Sequence, residues 1–144
     1  MKGKVDTFLQ LTTIQNKFML KNVLYVLGVV FILIGLLGFF NNPILGIFAV
    51  DTVHNVVHLL SGILALVFAG KPSQAKMFAI VFGIVYGLVA ILGLLMGEGK
   101  VLGLITVNAA DNYLHILLAV VLLVVGFMKP GGSSPAAPSM PTGM

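Results

Sequence analysis

The 144 residues contain no cysteine and no arginine; all eight basic side chains are lysine. Without thiols there are no disulfides, no thiolate metal sites and no cysteine nucleophile. Without guanidinium forks, bidentate recognition of phosphate is not expected, and nucleic acid is not an expected partner. Charge of either sign is scarce. Only 8% of residues are charged, against roughly 25% in a soluble globular domain. What fills the gap is apolar: 59% of the chain, with a mean hydropathy of +1.13. That composition belongs to an integral membrane protein whose first partner is the lipid bilayer. The net charge of +4 is then best placed in loops facing an anionic inner leaflet.

Four apolar runs lie at about 22–40, 53–69, 76–96 and 110–128. Each is close to the ~20 residues a helix needs to cross about 30 Å of hydrocarbon. Only a helix satisfies its own backbone within one lipid-exposed span, so the expected fold is all-α, a polytopic four-helix bundle. Residues 1–21 form a basic lead-in, with Lys2, Lys4, Lys17 and Lys21 around Phe8, Leu9, Leu11, Ile14, Phe18 and Met19. Its composition leaves two readings open, a short interfacial amphipathic helix or a loosely ordered segment. It is not expected to be a cleaved signal: the basic region is long, and the apolar run ends in Phe39-Phe40-Asn41-Asn42-Pro43. Residues 129–144, rich in Gly, Ser, Pro and Ala, lack the apolar content to pack and are expected to be disordered.

Lysine placement sets an orientation. Lys71 and Lys76 flank the second connection and Lys129 follows the last span, whereas the first connection has no lysine and the third has only Lys100 beside Glu98. Both termini are therefore expected in the cytoplasm of a cell-membrane protein, with the first and third connections outside.

The chain also repeats itself. Leu45-Gly46 aligns with Leu102-Gly103, fifty-seven positions on, and the same offset aligns Val50–Leu60 with Val107–Leu117. One position more aligns Gly35-Leu36-Leu37 with Gly93-Leu94-Leu95, and Lys71-Pro72 with Lys129-Pro130. Two helices per unit preserve direction, so the expectation is two tandem parallel hairpin repeats about a pseudo-two-fold along the membrane normal. Glycine stripes at Gly28, Gly35 and Gly38, and at Gly83, Gly87, Gly93 and Gly97, let helix backbones approach. Packing inside the bundle is the preferred use; a homo-oligomer built on these faces is the alternative.

The repeated segment carries the polarity: [Asp/Asn]-x-x-[His/Asp]-Asn-x-x-His, leading straight into an apolar helix. Its copies are Asp51, His54, Asn55 and His58, then Asn108, Asp111, Asn112 and His115. These runs, His54-Asn55-Val56-Val57-His58-Leu59-Leu60 and Val107-Asn108-Ala109-Ala110-Asp111-Asn112-Tyr113-Leu114-His115, resemble the four-helix membrane family catalogued as domain of unknown function 4383. The resemblance covers about residues 22–128. It implies a four-span prokaryotic membrane protein and brings no established activity.

On a helix Asp51, His54 and His58 share one face, as do Asn108, Asp111 and His115, with Asn55 and Asn112 a step round. Three readings follow. The leading one is a structural or accessory protein whose polar face clamps helices together. Asp51 and Asn108 sit as N-caps, Asp111 favours the helix dipole, and His54 pairs with Asp111. His58 and His115 bond to Asn or backbone across the two-fold, and each such bond adds ~0.6 kcal/mol or more in lipid. The second is a divalent transition-metal site (Zn²⁺, Mn²⁺ or Fe²⁺) on Asp51, His54, His58, Asp111 and His115, with Asn55, Asn108 and Asn112 supporting it. A variant places haem b between His58 and His115. The third is proton or small-solute transport, for which only Ser61 and Tyr86 continue a polar path. No Glu adjoins the first His to act as general base, so no catalytic residue is nominated and an enzyme is not the leading expectation. Tyr25, Tyr86 and Tyr113 read as packing or interfacial aromatics, and Glu98 and Lys100 as solvated.

Overall fold

A computed structural model describes residues 2–128. The tail expected to be disordered, 129–144, lies outside the described residues. Four helices make up nearly all of the fold: α1 Lys2–Leu37, α2 Thr52–Ala69, α3 Pro72–Met96 and α4 Ala109–Phe127. All four are long and apolar enough to cross a membrane. The chain is a membrane protein.

The basic lead-in and the first span are one continuous helix of 36 residues, about 54 Å at 1.5 Å per residue. Residues 3–11 are exposed, and Leu20 is the first buried position of α1. Thr7, Thr12 and Thr13 donate their hydroxyls to the carbonyls of Gly3, Phe8 and Leu9 one turn back, so these three hydroxyls are satisfied within the projecting part of the helix. Helix α2 stops at Gly70, and Pro72 opens α3, where its missing N–H and fixed φ suit a first turn.

One departure from an all-α chain occurs between α3 and α4. Strands β1 (Gly99–Val101) and β2 (Ile105–Val107) pair antiparallel with Lys100 opposite Thr106. Outside hydrocarbon a connection need not be helical, but its backbone groups still need partners, and a three-residue ribbon provides them. The first connection has its own single bridge, Ile44 to Phe48. Both connections turn through a Leu-Gly step in the left-handed region: Leu45 and Gly46 at φ 53° and 72°, Leu102 and Gly103 at φ 52° and 72°.

Packing is closest within hairpins, α1 on α2 and α3 on α4. Glycine makes this possible. A Cβ at Gly62 would sit 2.7 Å from the Gly28 carbonyl oxygen, and one at Gly83 would sit 2.8 Å from Leu123 Cγ. Backbones at that distance gain dispersion and weak Cα–H contacts, which hold helices together where lipid removes the hydrophobic drive. The core toward the lysine end is apolar, with Leu24, Ala65, Phe78, Ala79, Leu122 and Val125 buried. Leu60, Val67, Leu88, Leu95, Leu117 and Val124 point outward, as lipid-facing residues should. Toward the loop end the core changes character: beyond Phe31 and Tyr86, whose rings lie 5.4 Å apart, buried His54, Asn55, His58, Asp111, Asn112 and His115 join buried apolar residues such as Ile44, Val50 and Val107.

Candidate functional site: a buried histidine layer at the loop end

Two N-caps start the site. Asp51 has extended backbone and its Oδ1 accepts from the His54 N–H at 2.9 Å. Asn108 and Asp111 form a capping box: Asn108 Oδ1 accepts from the Asp111 N–H, and Asp111 Oδ2 accepts from the Asn108 N–H, each at 3.0 Å. Both satisfy donors that a helix start leaves open.

The same side chains also reach across the bundle. Asp51 Oδ2 accepts from the Thr106 N–H at 2.9 Å and from the Thr106 hydroxyl at 2.7 Å. His54 Nδ1 donates to the Thr106 carbonyl at 2.9 Å. In the other direction, Asp111 Oδ2 accepts from the Ala49 N–H at 3.1 Å, and Asn108 Nδ2 donates to the Ile47 carbonyl at 2.7 Å. The first turn of α2 thus grips β2, just before α4, and the first turn of α4 grips the segment just before α2. Burial, the largest influence on Asp51, would raise its pKa. Hydrogen bonds from His54 and Thr106, with the charge of Lys100, outweigh it and hold the carboxyl below its ordinary 3.8.

One layer deeper lie three imidazoles, each no more than 3% exposed. One nitrogen from each of His54, His58 and His115 falls within 4.8 Å of the others. Because His54 Nδ1 carries the proton given to Thr106, its Nε2 presents a lone pair, and His58 Nε2 donates to it at 3.0 Å. The His58 and His115 rings lie 6.1 Å apart at 19°. Phe31 packs on His58 and Tyr86 on His115, with centroids at 5.3 and 5.4 Å. His58 Nδ1 and His115 Nδ1 are buried without a hydrogen-bond partner. Asn55 and Asn112 flank the layer. Their Oδ1 atoms press on Gly38 and Gly93, where an added Cβ would come to 1.9 and 2.0 Å. A cavity of about 110 Å³ adjoins the layer, lined by His54, His58, Asp111 and His115 and by apolar residues including Ile34, Ile44 and Val50.

Several expectations change here. His54 and Asp111 do not bond to each other among the described residues; His54 takes the Thr106 carbonyl and Asp111 takes two N–H groups. Those partly buried backbone groups need partners, and they claim the side chains first. Neither Asp51 nor Asp111 belongs to the three-nitrogen group. His58 and His115 bond to neither asparagine nor backbone; His115 makes no hydrogen bond among the described residues, and its contacts are aromatic. The cavity beside His58 and His115, about 110 Å³, is smaller than the roughly 300–1,000 Å³ of cofactor sites. Among the described residues no polar path continues inward. Ser61 turns its hydroxyl to the Val57 carbonyl, Tyr86 OH approaches Ser61 without a hydrogen bond of standard geometry, and the core beyond is apolar. Sequence reading missed Thr106, which takes three of the crossing bonds, and put Tyr86 among packing aromatics although it lies on the imidazoles. The only signal for Thr106 was a hydroxyl in one copy where the other has Ala49. Glu98, expected to be solvated, is exposed and accepts from the Ala109 N–H at 3.4 Å.

Fold and site define a four-span membrane protein with three buried imidazoles grouped where its second and fourth helices begin. The family model described as Domain of unknown function (DUF4383) matches residues 21–128, and the chain belongs to that family. No curated protein and no solved structure matches the chain.

Proposed function

We propose that this is a structural or accessory protein of the cell membrane, built of two tandem parallel hairpin repeats whose outward polar layer clamps one hairpin to the other. The observation that carries the reading is the reciprocal grip on Ala49 and Thr106, residues that align between the repeats. Each is bound by a carboxylate from the opposite helix start, Asp111 on Ala49 and Asp51 on Thr106. The copies differ where the partners differ: His54 donates to a carbonyl, while its counterpart Asp111 accepts from an N–H. Matching Leu-Gly turns support the same two-fold. The Asn55-on-Gly38 and Asn112-on-Gly93 contacts do so too, but they make Gly38 the counterpart of Gly93, rather than the Gly35 that the sequence alignment matched to it.

Such a clamp has a physical task. Helices are tightly packed within each hairpin, but between hairpins little apolar drive exists in lipid, so directional bonds set the register. Lysine gives the orientation. Lys17 and Lys21 share a recess with Gly70 and Pro72 at the end opposite the polar layer, and a basic end belongs in the cytoplasm. Both termini then lie inside and the histidine layer lies in the outer half of the bilayer. His54→Ala tests the clamp, because it removes the bond to Thr106 and the bond from His58. The thermal midpoint of the detergent-solubilised protein should fall by several degrees; an unchanged midpoint contradicts the reading.

A further inference from the structure

We propose that His54, His58 and His115 form a binding site for one divalent transition-metal ion of the zinc class, with a fourth coordination position open to the adjoining cavity. The proposal goes beyond the clamp and does not depend on it. The clamp engages Asp51, Asn108, Asp111 and Nδ1 of His54. What it leaves over is Nε2 of His54 and both rings of His58 and His115.

The geometry of those leftovers suits a metal. His54 is oriented by an Nδ1–H to carbonyl bond, the outer contact that metal-bound histidines usually make, and it fixes Nε2 as the free lone pair. The His54 and His58 Nε2 atoms are 3.0 Å apart. Two nitrogens at ~2.0–2.1 Å from a tetrahedral ion stand about 3.3 Å apart, so this pair is nearly at ligand spacing. The third nitrogen lies within 4.8 Å and has the cavity beside it in which to close. When an ion enters, the proton on His58 Nε2 moves to its Nδ1, so both nitrogens of the close pair become donors to the metal without net change of charge on the rings.

A purely structural histidine layer accounts poorly for His115. Its Nδ1 is buried at membrane depth with no hydrogen-bond partner among the described residues, an arrangement that costs on the order of 1–3 kcal/mol. A metal bond to that nitrogen removes the cost. Three neutral nitrogens favour zinc and its late-transition neighbours over magnesium or calcium, and Asp111, which lines the same cavity, supplies negative charge near a dication. At about 110 Å³ the cavity exceeds the ≈ 30 Å³ share of one water, so the fourth position takes a water or a small anion.

Cobalt(II) is the probe. The tag-free full chain in detergent, stripped with chelator, is loaded with Co²⁺, passed through a desalting column and examined for visible d–d bands. One Co²⁺ per chain, with band intensity of a four-coordinate site, displacement by Zn²⁺ and a band shift with azide, is expected. His115→Gln and His58→Gln, each checked for an intact helical spectrum, should each weaken binding by at least about tenfold. Wild-type protein that retains no cobalt overturns the site, as does a folded variant of either kind that retains cobalt as wild type does. Bands unmoved by azide overturn the open position.

Discussion

Removing Asp51 should uncouple the two ends of the clamp in a way that can be measured bond by bond. Asp51→Ala removes an N-cap, worth about 1 kcal/mol, and two hydrogen bonds to a carboxylate, from the Thr106 N–H and hydroxyl. Such bonds contribute about 1.5–3 kcal/mol each when shielded. Asp51 is only partly buried, so less than the low end applies to each, and the total comes to about 3 kcal/mol. Thr106→Val removes the hydroxyl bond alone, at about 1 kcal/mol. Once Asp51 is gone, Thr106→Val has no bond left to break, so the double variant should be less unstable than the sum by about 1 kcal/mol. The assay is reversible unfolding in mixed micelles, with SDS as denaturant and far-ultraviolet circular dichroism as readout. Effects that add within roughly 0.5 kcal/mol, the range found for independent sites, would refute the coupling. So would an Asp51→Ala variant as stable as wild type.

Acid should act through the same residue. Because the folded pKa of Asp51 lies below its ordinary 3.8, its contribution is present above the unfolded value and is lost as pH falls through the folded one. Stability measured from about pH 5 down to pH 2 should therefore drop more steeply in wild type than in Asp51→Asn; equal slopes would contradict this. Gly38→Ala and Gly93→Ala must displace the amides of Asn55 and Asn112, at about 1–3 kcal/mol each by overpacking. Gly87→Ala, whose Cβ would meet Ala119 at an ordinary 3.5 Å, should be neutral or slightly stabilising, and a loss as large as at Gly38 would show the contacts to be misread. Since the chain has no native cysteine, single-cysteine probes report topology. Leu104→Cys should react with a membrane-impermeant maleimide in intact cells and Ser73→Cys only after permeabilisation; the opposite pattern would invert the orientation.

Much of this architecture was legible in the amino acids because lipid leaves few options. An apolar run of about 20 residues must be helical, and α2 and α4 begin where Asp51 and Asn108 predict. Periodicity put His54 and His58 on one face. Pairing them with His115 required the alignment of the two copies. The partner of each polar atom was harder to read. The pairing of His54 with Asp111 was reasonable on charge alone, but three-dimensional packing brings the backbone of Ala49 and Thr106 within reach first. Those N–H and C=O groups leave no trace in side-chain patterns. Thr106 became legible only once β2 was folded back over the start of α2. Tyr86 illustrates the same limit. Its helix was predictable, but its rotation toward His115 depends on how α3 seats on α4. The helical course of the lead-in was likewise undecided by composition, since scattered apolar residues among lysines suit both an ordered and a loose segment.

Amide hydrogen exchange at Ala49 and Thr106 tests the reciprocal clamp most directly. Each N–H is held by a carboxylate of the opposite helix start, so both amides should be protected in the wild type although they precede their helices. Asp51→Ala should release Thr106 and leave Ala49 protected, and Asp111→Ala should do the reverse. Wild-type exchange at the free-peptide rate at both positions would contradict the clamp.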